Sequence, residues 1–241
     1  MIKILEITKE PLRAIGNAAS ICYDSIELEE IIRNAKTKKA KGIAKHCLKS
    51  GHDRVAEFAD VTLLLDQYSA RVIREWYTHI IGTSRVQAST RYIKYDDLKF
   101  GYYTPNSINR NEDAKIIYDD CMSYILDSYN KLISLGIAQQ DVANVLPLGH
   151  HTTIVCKINV RALAHMFEVR ECSRAYEEFR KLMKELRRTL IEVDEDWKYL
   201  CDNYFKVKCE KMLYCNEAQC CGKFPTKEGL LELIQKGKGN T

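Results

Sequence analysis

Three short β-prone runs, held apart by helical stretches of uneven length, constrain this chain's fold more than any other feature. The opening Ile2-Lys3-Ile4-Leu5-Glu6-Ile7 alternates with period two, as a half-buried strand does. Asp60 to Tyr68 carries the β-prone run Val61-Thr62-Leu63-Leu64-Leu65, and Thr152 to Ile158 reads as a third strand. A regular parallel α/β array would alternate strands and helices evenly along the chain. Strands this few, with helices of varied length between them, predict an α+β fold in which helices flank a sheet.

Apolar spacing and terminal residues mark the helices. From Asp113 to Ile133, Ile117, Cys121, Tyr124, Ile125, Tyr129 and Leu132 keep helical spacing, and Gly136 is placed to end that helix. Pro11 suits the first turn of a helix running to about Tyr23, with two more over Glu27 to Ala35 and Lys39 to Ser50. Ser69 is a suitable N-cap for a helix reaching His79. Another covers Arg161 to Arg170, and Tyr176, Phe179, Met183, Leu186 and Leu190 mark a further long one. After about Asn203 the periodicity is lost and cysteines crowd together, until a short helix near Glu228 to Gln235. The expected organisation is a main body over 1–202 and a cysteine-rich C-terminal appendage over 203–241.

With 241 residues, 46% of them apolar and 29% charged, the chain can bury a sizeable core, which excludes disordered and collagen-like classes. No apolar run approaches the roughly 18 residues needed to cross a bilayer. Met1-Ile2-Lys3-Ile4-Leu5-Glu6 places an acid where a secretory signal carries an uninterrupted apolar core, so a cytoplasmic protein is expected. The 37 basic and 33 acidic residues are interspersed, and a net charge of +4 permits an anionic ligand without demanding nucleic acid. Ten cysteines in a reducing compartment argue against a disulfide scaffold. Cys22, Cys47, Cys121 and Cys156 lie in apolar periodic contexts and read as small buried hydrophobes.

The helix after Ser69 presents Val72, Ile73, Trp76, Tyr77 and Ile80 on one face and Arg71, Glu75, Thr78 and His79 on or beside the other. Gly82-Thr83-Ser84-Arg85-Val86-Gln87-Ala88-Ser89-Thr90-Arg91-Tyr92 follows as a polar loop. Hydroxyl and backbone donors around two arginines suit a phosphate, which Arg binds bidentately; a merely solvated loop is the plainer alternative.

Here the chain resembles the flavin-dependent thymidylate synthases, whose histidine-centred helix end is followed by a loop finishing Ser-x-Arg-Tyr. The residues are Glu75-Trp76-Tyr77-Thr78-His79 and Ser89-Thr90-Arg91-Tyr92. The likeness extends to Ala18-Ala19-Ser20-Ile21-Cys22-Tyr23, Ser50-Gly51-His52 with Glu57, Val145-Leu146-Pro147, Asn159-Val160-Arg161-Ala162-Leu163, and Arg170 with Ala175 and Glu178. The resemblance implies that family's helix-flanked, mostly antiparallel sheet. It also implies reductive methylation of dUMP to dTMP with FAD, with NADPH and methylenetetrahydrofolate as co-substrates, in a homotetramer whose active sites are shared between subunits.

Carried over by position, His52, His79, Asn159, Arg161 and His165 would contact the flavin. Ser89 and Arg91 would hold the nucleotide phosphate, with Glu75 and Gln87 on the nucleotide side. Arg170 would bind the uracil carbonyl edge, and it and His79 are the expected catalytic residues. Arg161 and His165, four apart on one helix, share a face. The other class of thymidylate synthase attacks the pyrimidine with a Pro-Cys thiolate, and no Pro-Cys pair occurs in this chain.

Two departures stand out. The family's Arg-His-Arg is Thr78-His79-Ile80 here, in a segment one residue longer, and Asp141-Val142-Ala143-Asn144 lacks an arginine expected before Val-Leu-Pro. Arg71, Arg74 and above all Arg85 are the candidates to replace the lost cations. A shift to a related pyrimidine modification such as hydroxymethylation, or loss of activity altogether, are alternatives. In the tail, Cys209, Cys215 and Cys221, together with Cys172, form a possible set of four ligands for a structural zinc, with Cys220 adjacent. A zinc-stabilised nucleic-acid-binding protein using Lys181, Lys184, Arg187 and Arg188 is the reading from a different class.

Overall fold

Two strands in this chain run straight into helices, and the first residue after each strand decides how. In the computed structural model, Ser69 ends the strand Asp60–Ser69 in an extended conformation, and its Oγ accepts from the Val72 amide at 3.1 Å, starting the helix Ala70–Trp76. Asn159 does the same between the strand His151–Asn159 and the helix Val160–Arg170, its Oδ1 accepting from the Ala162 amide at 2.8 Å. The residues described are 1–22, 27, 29, 30, 33, 39–96 and 100–238. The helix expected over Glu27 to Ala35 and the end of the first helix at Tyr23 lie largely outside them.

The chain divides into two compact units, 1–7 with 61–158 and 8–60 with 159–241. The tail from 203 onward therefore shares a unit with the helices that precede it.

The first unit carries the sheet. Its strands are β1 (Ile2–Ile7), β2 (Asp60–Ser69), β3 (Thr83–Gln87) and β4 (His151–Asn159), in the order β1-β2-β4-β3. β1 pairs antiparallel with β2, Ile2 opposite Leu65 and Ile4 opposite Leu63, with a bulge between Ile4 and Glu6. β3 pairs antiparallel with β4, Arg85 opposite Cys156 and Gln87 opposite Ile154. Val61, Leu63, Leu65, Ile154, Cys156 and Ile158 alternate into the core.

β3 lies within the stretch whose sequence reads as a polar loop. Its face toward the core holds Thr83, Arg85 and Gln87, while Val86 is 74% exposed. The usual polarity of an edge strand is inverted, so no period-two apolar signal exists to read.

The long helix is Glu112–Ser134, capped by the Asn111 side chain on the Ala114 amide and closed by Gly136 at φ 78. It buries only Met122 and Tyr129; Tyr129 joins Tyr95 and Val142 in a small cluster backed by Phe100, Leu132 and Leu146. Ile117 and Tyr124, which carry the helical spacing, are exposed, and so is Cys121, expected to be buried. Their stripe is one helix face away from the residues that pack.

In the second unit, Pro11–Ser20 packs on Lys39–Lys49 so closely that a Cβ at Gly16 would lie 1.8 Å from the Ala40 carbonyl oxygen. Val160–Arg170, Glu177–Ile191 and Glu195–Asn203 follow, with a short helix Lys208–Met212 and a final one, Lys227–Lys238. Arg187 is the polar hub. It pairs with both carboxylate oxygens of Glu171 at 3.0 and 2.7 Å, donates to the Phe205 and Cys201 carbonyls, and lies over the Phe167 ring.

Candidate active site

The expected site residues fall into a set in each unit. In the first unit, the helix bearing Glu75 stops at Trp76, because the Thr78 hydroxyl turns back onto the Glu75 carbonyl at 2.7 Å. The chain leaves the helical path there, so Ile80, expected on the buried face with Trp76, is 70% exposed. His79 and Glu75 are half-buried beside this turn.

Arg85 reaches back beneath the turn. Its guanidinium donates to the carbonyls of Tyr77 at 3.0 Å and His79 at 3.2 Å and to Thr83 Oγ1 at 2.9 Å, and it lies 4.5 Å from the Tyr77 ring centre. The Thr83 hydroxyl also donates to the His79 carbonyl, at 2.6 Å. Arg85 thus lies in the neighbourhood of Thr78, but its donors clamp the backbone that flanks His79.

Gln87 donates from Nε2 to Thr152 Oγ1 at 3.2 Å. Ser89 forms a tight turn in which Oγ accepts from the Arg91 amide at 3.3 Å and the carbonyl accepts from the Tyr92 and Ile93 amides. Arg91 and Tyr92 are exposed at this turn, with the guanidinium over the ring. A cavity of about 340 Å³ opens beside Ala88, lined also by Asp66, Tyr95, His151, Thr152 and Thr153. Burial pushes His151 below the ordinary imidazole value, against the pull of Asp66, and lowers His150 likewise. No motif pointed to these residues, which come from three separate stretches of chain.

In the second unit, His52 and Arg161 line one cavity of about 600 Å³, floored by Ala18, Ala19 and Cys47 and edged by Asp53, Arg54 and Phe58. His52 and Cys47 also line a neighbouring cavity of about 670 Å³ with Lys39 and His46. Arg161 Nη1 pairs with Glu57 Oε1 at 2.5 Å. Asn159 spends its Oδ1 on the helix cap. His165 is exposed one turn beyond Arg161 on the same helix, which meets the expectation of a shared face. Arg170 ends that helix with its guanidinium 4.9 Å from the Phe179 ring centre and does not line the cavity with His52 and Arg161.

The cysteines separate into groups. Cys47 and Cys156 are buried, and burial pushes the Cys156 thiol up to about 12, so it stays protonated; Cys22 and Cys121 are exposed, contrary to expectation. Cys172, Cys209, Cys215 and Cys221 line one cavity of about 370 Å³. As placed, no three Cys, His, Asp or Glu side chains among the described residues converge tightly enough to hold a metal. Arg187, counted among the basic residues of a nucleic-acid face, is turned inward onto Glu171, and Lys181 pairs with Glu177 at 3.0 Å, so that face is not a continuous basic stripe. No helix among the described residues is long and apolar enough to cross a membrane.

Residues 3–194 match the sequence model of the Thy1 family, described as thymidylate synthase complementing protein, and the chain belongs to that family. Among curated relatives, it is 29% identical to the flavin-dependent thymidylate synthase of Geobacter sulfurreducens, over 78% of this chain and 80% of that protein. It is 28% identical to the enzyme of that name from Clostridium tetani, over 92% and 93% of the two chains. For that of Nitratidesulfovibrio vulgaris the identity is 27%, over 95% and 97%.

Proposed function

We propose that this chain is a flavin-dependent thymidylate synthase, which reductively methylates dUMP to dTMP using FAD, methylenetetrahydrofolate and NADPH. The observation that carries the reading is the family match over 3–194, reinforced by full-length relatives that bear that name. The four-stranded sheet is read as the sheet of that enzyme type.

The second unit's cavity has a donor set suited to a flavin: the Arg161 and Arg54 guanidinium groups and the His52 imidazole, beside Asp53 and small or apolar side chains such as Ala18, Ala19, Val55 and Phe58. His52, Arg161, His165, His79 and the amide nitrogen of Asn159 are the residues assigned to the cofactor. Bound there, the flavin would supply the reducing equivalents of the reaction.

The chain's own residues bind and orient. Ser89 and Arg91 are assigned to the nucleotide phosphate, which an exposed guanidinium at a tight turn can grip bidentately. Glu75 and Gln87 are assigned to the polar nucleotide edge, and Arg170 to the uracil carbonyl. Arg85 holds the carbonyls on either side of Thr78, which fixes His79 where the family's flanking arginines are missing. A thiol nucleophile is not required, in keeping with a Cys156 held neutral by burial.

A homotetramer with shared active sites is part of this reading. The exposed stripe of Ile117, Cys121 and Tyr124 on the long helix supports it, since apolar residues at helical spacing ordinarily cover a partner surface. The test is turnover by recombinant protein reconstituted with FAD, reductant and methylenetetrahydrofolate. Release of the 5-position hydrogen of dUMP with dTMP as product is expected. A hydroxymethylated product would move the activity to the related modification, and flavin binding without turnover on any pyrimidine nucleotide would leave only the scaffold.

A further inference from the structure

The C-terminal cysteines are arranged by contacts that the proposed chemistry does not use. The amide of Cys215 donates to the Pro225 carbonyl at 2.7 Å, and Cys215 bridges Thr226, so residues 215–226 form a loop closed at its base. Within it, Gly222 at φ 81 makes a turn that aims its amide at Cys220 Sγ, 3.4 Å away. The amides of Glu217 and Lys223 reach Cys215 and Cys221 from the same two-residue offset, and the Ser173 hydroxyl meets Cys221 from across the cavity. Backbone amides aimed at sulfur are the outer donors that commonly orient cysteine ligands around a metal.

The loop is pinned beside Cys172. Arg174 pairs with Glu217 at 3.3 Å and donates to Gln219 at 3.3 Å, while Lys211 pairs with Glu168 at 2.8 Å. Cys172, Cys209, Cys215 and Cys221 consequently face one cavity of about 370 Å³. Cys220 does not line it; its thiol donates to the Phe224 carbonyl. Of the charged groups on the walls, Glu171 is neutralised by Arg187 and Glu217 by Arg174, leaving Arg180, Lys184 and Lys223 as an excess of positive charge.

We propose that Cys172, Cys209, Cys215 and Cys221 form a structural tetrathiolate zinc site. Four sulfurs and no oxygen or open position select zinc over hard cations and exclude a hydrolytic role. The zinc–tetrathiolate unit carries a net charge of −2, which the cationic wall offsets. On binding, each thiol gives its proton to solvent as its Zn–S bond forms. The sulfurs are gathered around one cavity but are not yet within one coordination sphere, so the ion draws the loop inward and fastens it to the segment that follows Arg170. The site thereby stiffens a helix end assigned to substrate, without touching substrate itself.

The test uses the full chain, purified under reductant without an affinity tag, stripped with chelator and titrated with cobalt(II) in the absence of flavin and nucleotide. The expected result is one tightly held ion per chain, with sulfur-to-cobalt charge-transfer absorption and the ligand-field bands of a tetrahedral thiolate site. Alkylation of the zinc-loaded chain, mapped by mass spectrometry, should protect those four cysteines and leave Cys22, Cys121 and Cys220 reactive; this comparison needs no variant. Cys215→Ser and Cys221→Ser should abolish the charge-transfer bands, while Cys220→Ser and Cys121→Ser retain them. Weak binding without charge transfer, disulfides among the four under reductant, or loss of the bands in Cys220→Ser but not Cys221→Ser would overturn the assignment. Because neither flavin nor nucleotide is present, a negative outcome leaves the thymidylate synthase reading untouched.

Discussion

At Arg85 and Asn159 a side chain expected to meet ligand is engaged in shaping backbone. Arg85 bridges the Tyr77 and His79 carbonyls and Thr83 Oγ1, three acceptors shared between its two terminal nitrogens. Lysine keeps the charge but not the fork. Arg85→Lys is therefore predicted to lower kcat/KM for dUMP about tenfold or more, equivalent to roughly 1.4 kcal/mol, while the far-ultraviolet spectrum stays that of the parent. Unchanged kinetics would deny Arg85 its positioning role. Asn159 separates an observed job from a proposed one, since Oδ1 caps the helix and the side-chain nitrogen is the atom proposed for the cofactor. Asn159→Ala should cost about 1 kcal/mol of stability. Asn159→Asp preserves the cap acceptor yet should still weaken FAD binding in a fluorescence titration; wild-type affinity in Asn159→Asp would confine the residue to capping. The resemblance marked Asn159 for the flavin, but its place between β4 and Val160 is what makes it a cap.

Element by element, what was legible depended on whether local pattern or distant partners set the structure. β1 shows itself by period-two alternation and β2 and β4 as short strand-like runs, and Ser69, Pro11 and Gly136 stand at helix ends as their conformational preferences dictate. β3 does not, because it turns Thr83, Arg85 and Gln87 inward and Val86 outward. The helix from Ala70 ends before its spacing predicts, since apolar spacing continues to Ile80 although Thr78 has already broken the path. The periodic stripe on Glu112–Ser134 is present but exposed. Ile117 is 71% and Tyr124 73% exposed. If the stripe is a subunit contact, Tyr124→Lys should shift the sedimentation coefficient from that of a tetramer toward smaller species, and a tetramer unchanged by Tyr124→Lys would place the contact elsewhere.

Within each unit, the candidate residues are drawn from stretches far apart in the chain, which is why a single sequence offered residue types without their convergence. His52 meets Arg161 in one cavity, and Arg161 meets Glu57, only through folding of the second unit. The same unit holds a charge cluster with a defined pH signature: Lys41 pairs with Glu10 at 2.9 Å and Asp196 at 3.0 Å. Burial opposes the Lys41 charge, but the two carboxylates outweigh it and raise the ammonium above 10.5; a hydrogen bond from Lys41 holds Glu10 below 4.5. A raised lysine contributes stability below its unfolded value and loses it as pH climbs through the folded one, whereas a lowered carboxylate contributes above its unfolded value and loses it as pH falls. The gap in denaturation midpoint between the parent and Lys41→Met should thus be constant across neutral pH and shrink below about pH 4.5. A gap that widens in acid would contradict the pairing.

We propose that this family member binds both flavin and pyrimidine nucleotide despite Thr78 and Ile80. The visible absorption spectrum of the FAD-reconstituted protein, recorded before and after adding dUMP, tests it most directly. A bound flavin whose bands shift and sharpen in a saturable, dUMP-dependent manner is the predicted result; a protein that takes up no flavin, or whose flavin bands ignore dUMP at saturating concentration, would contradict it.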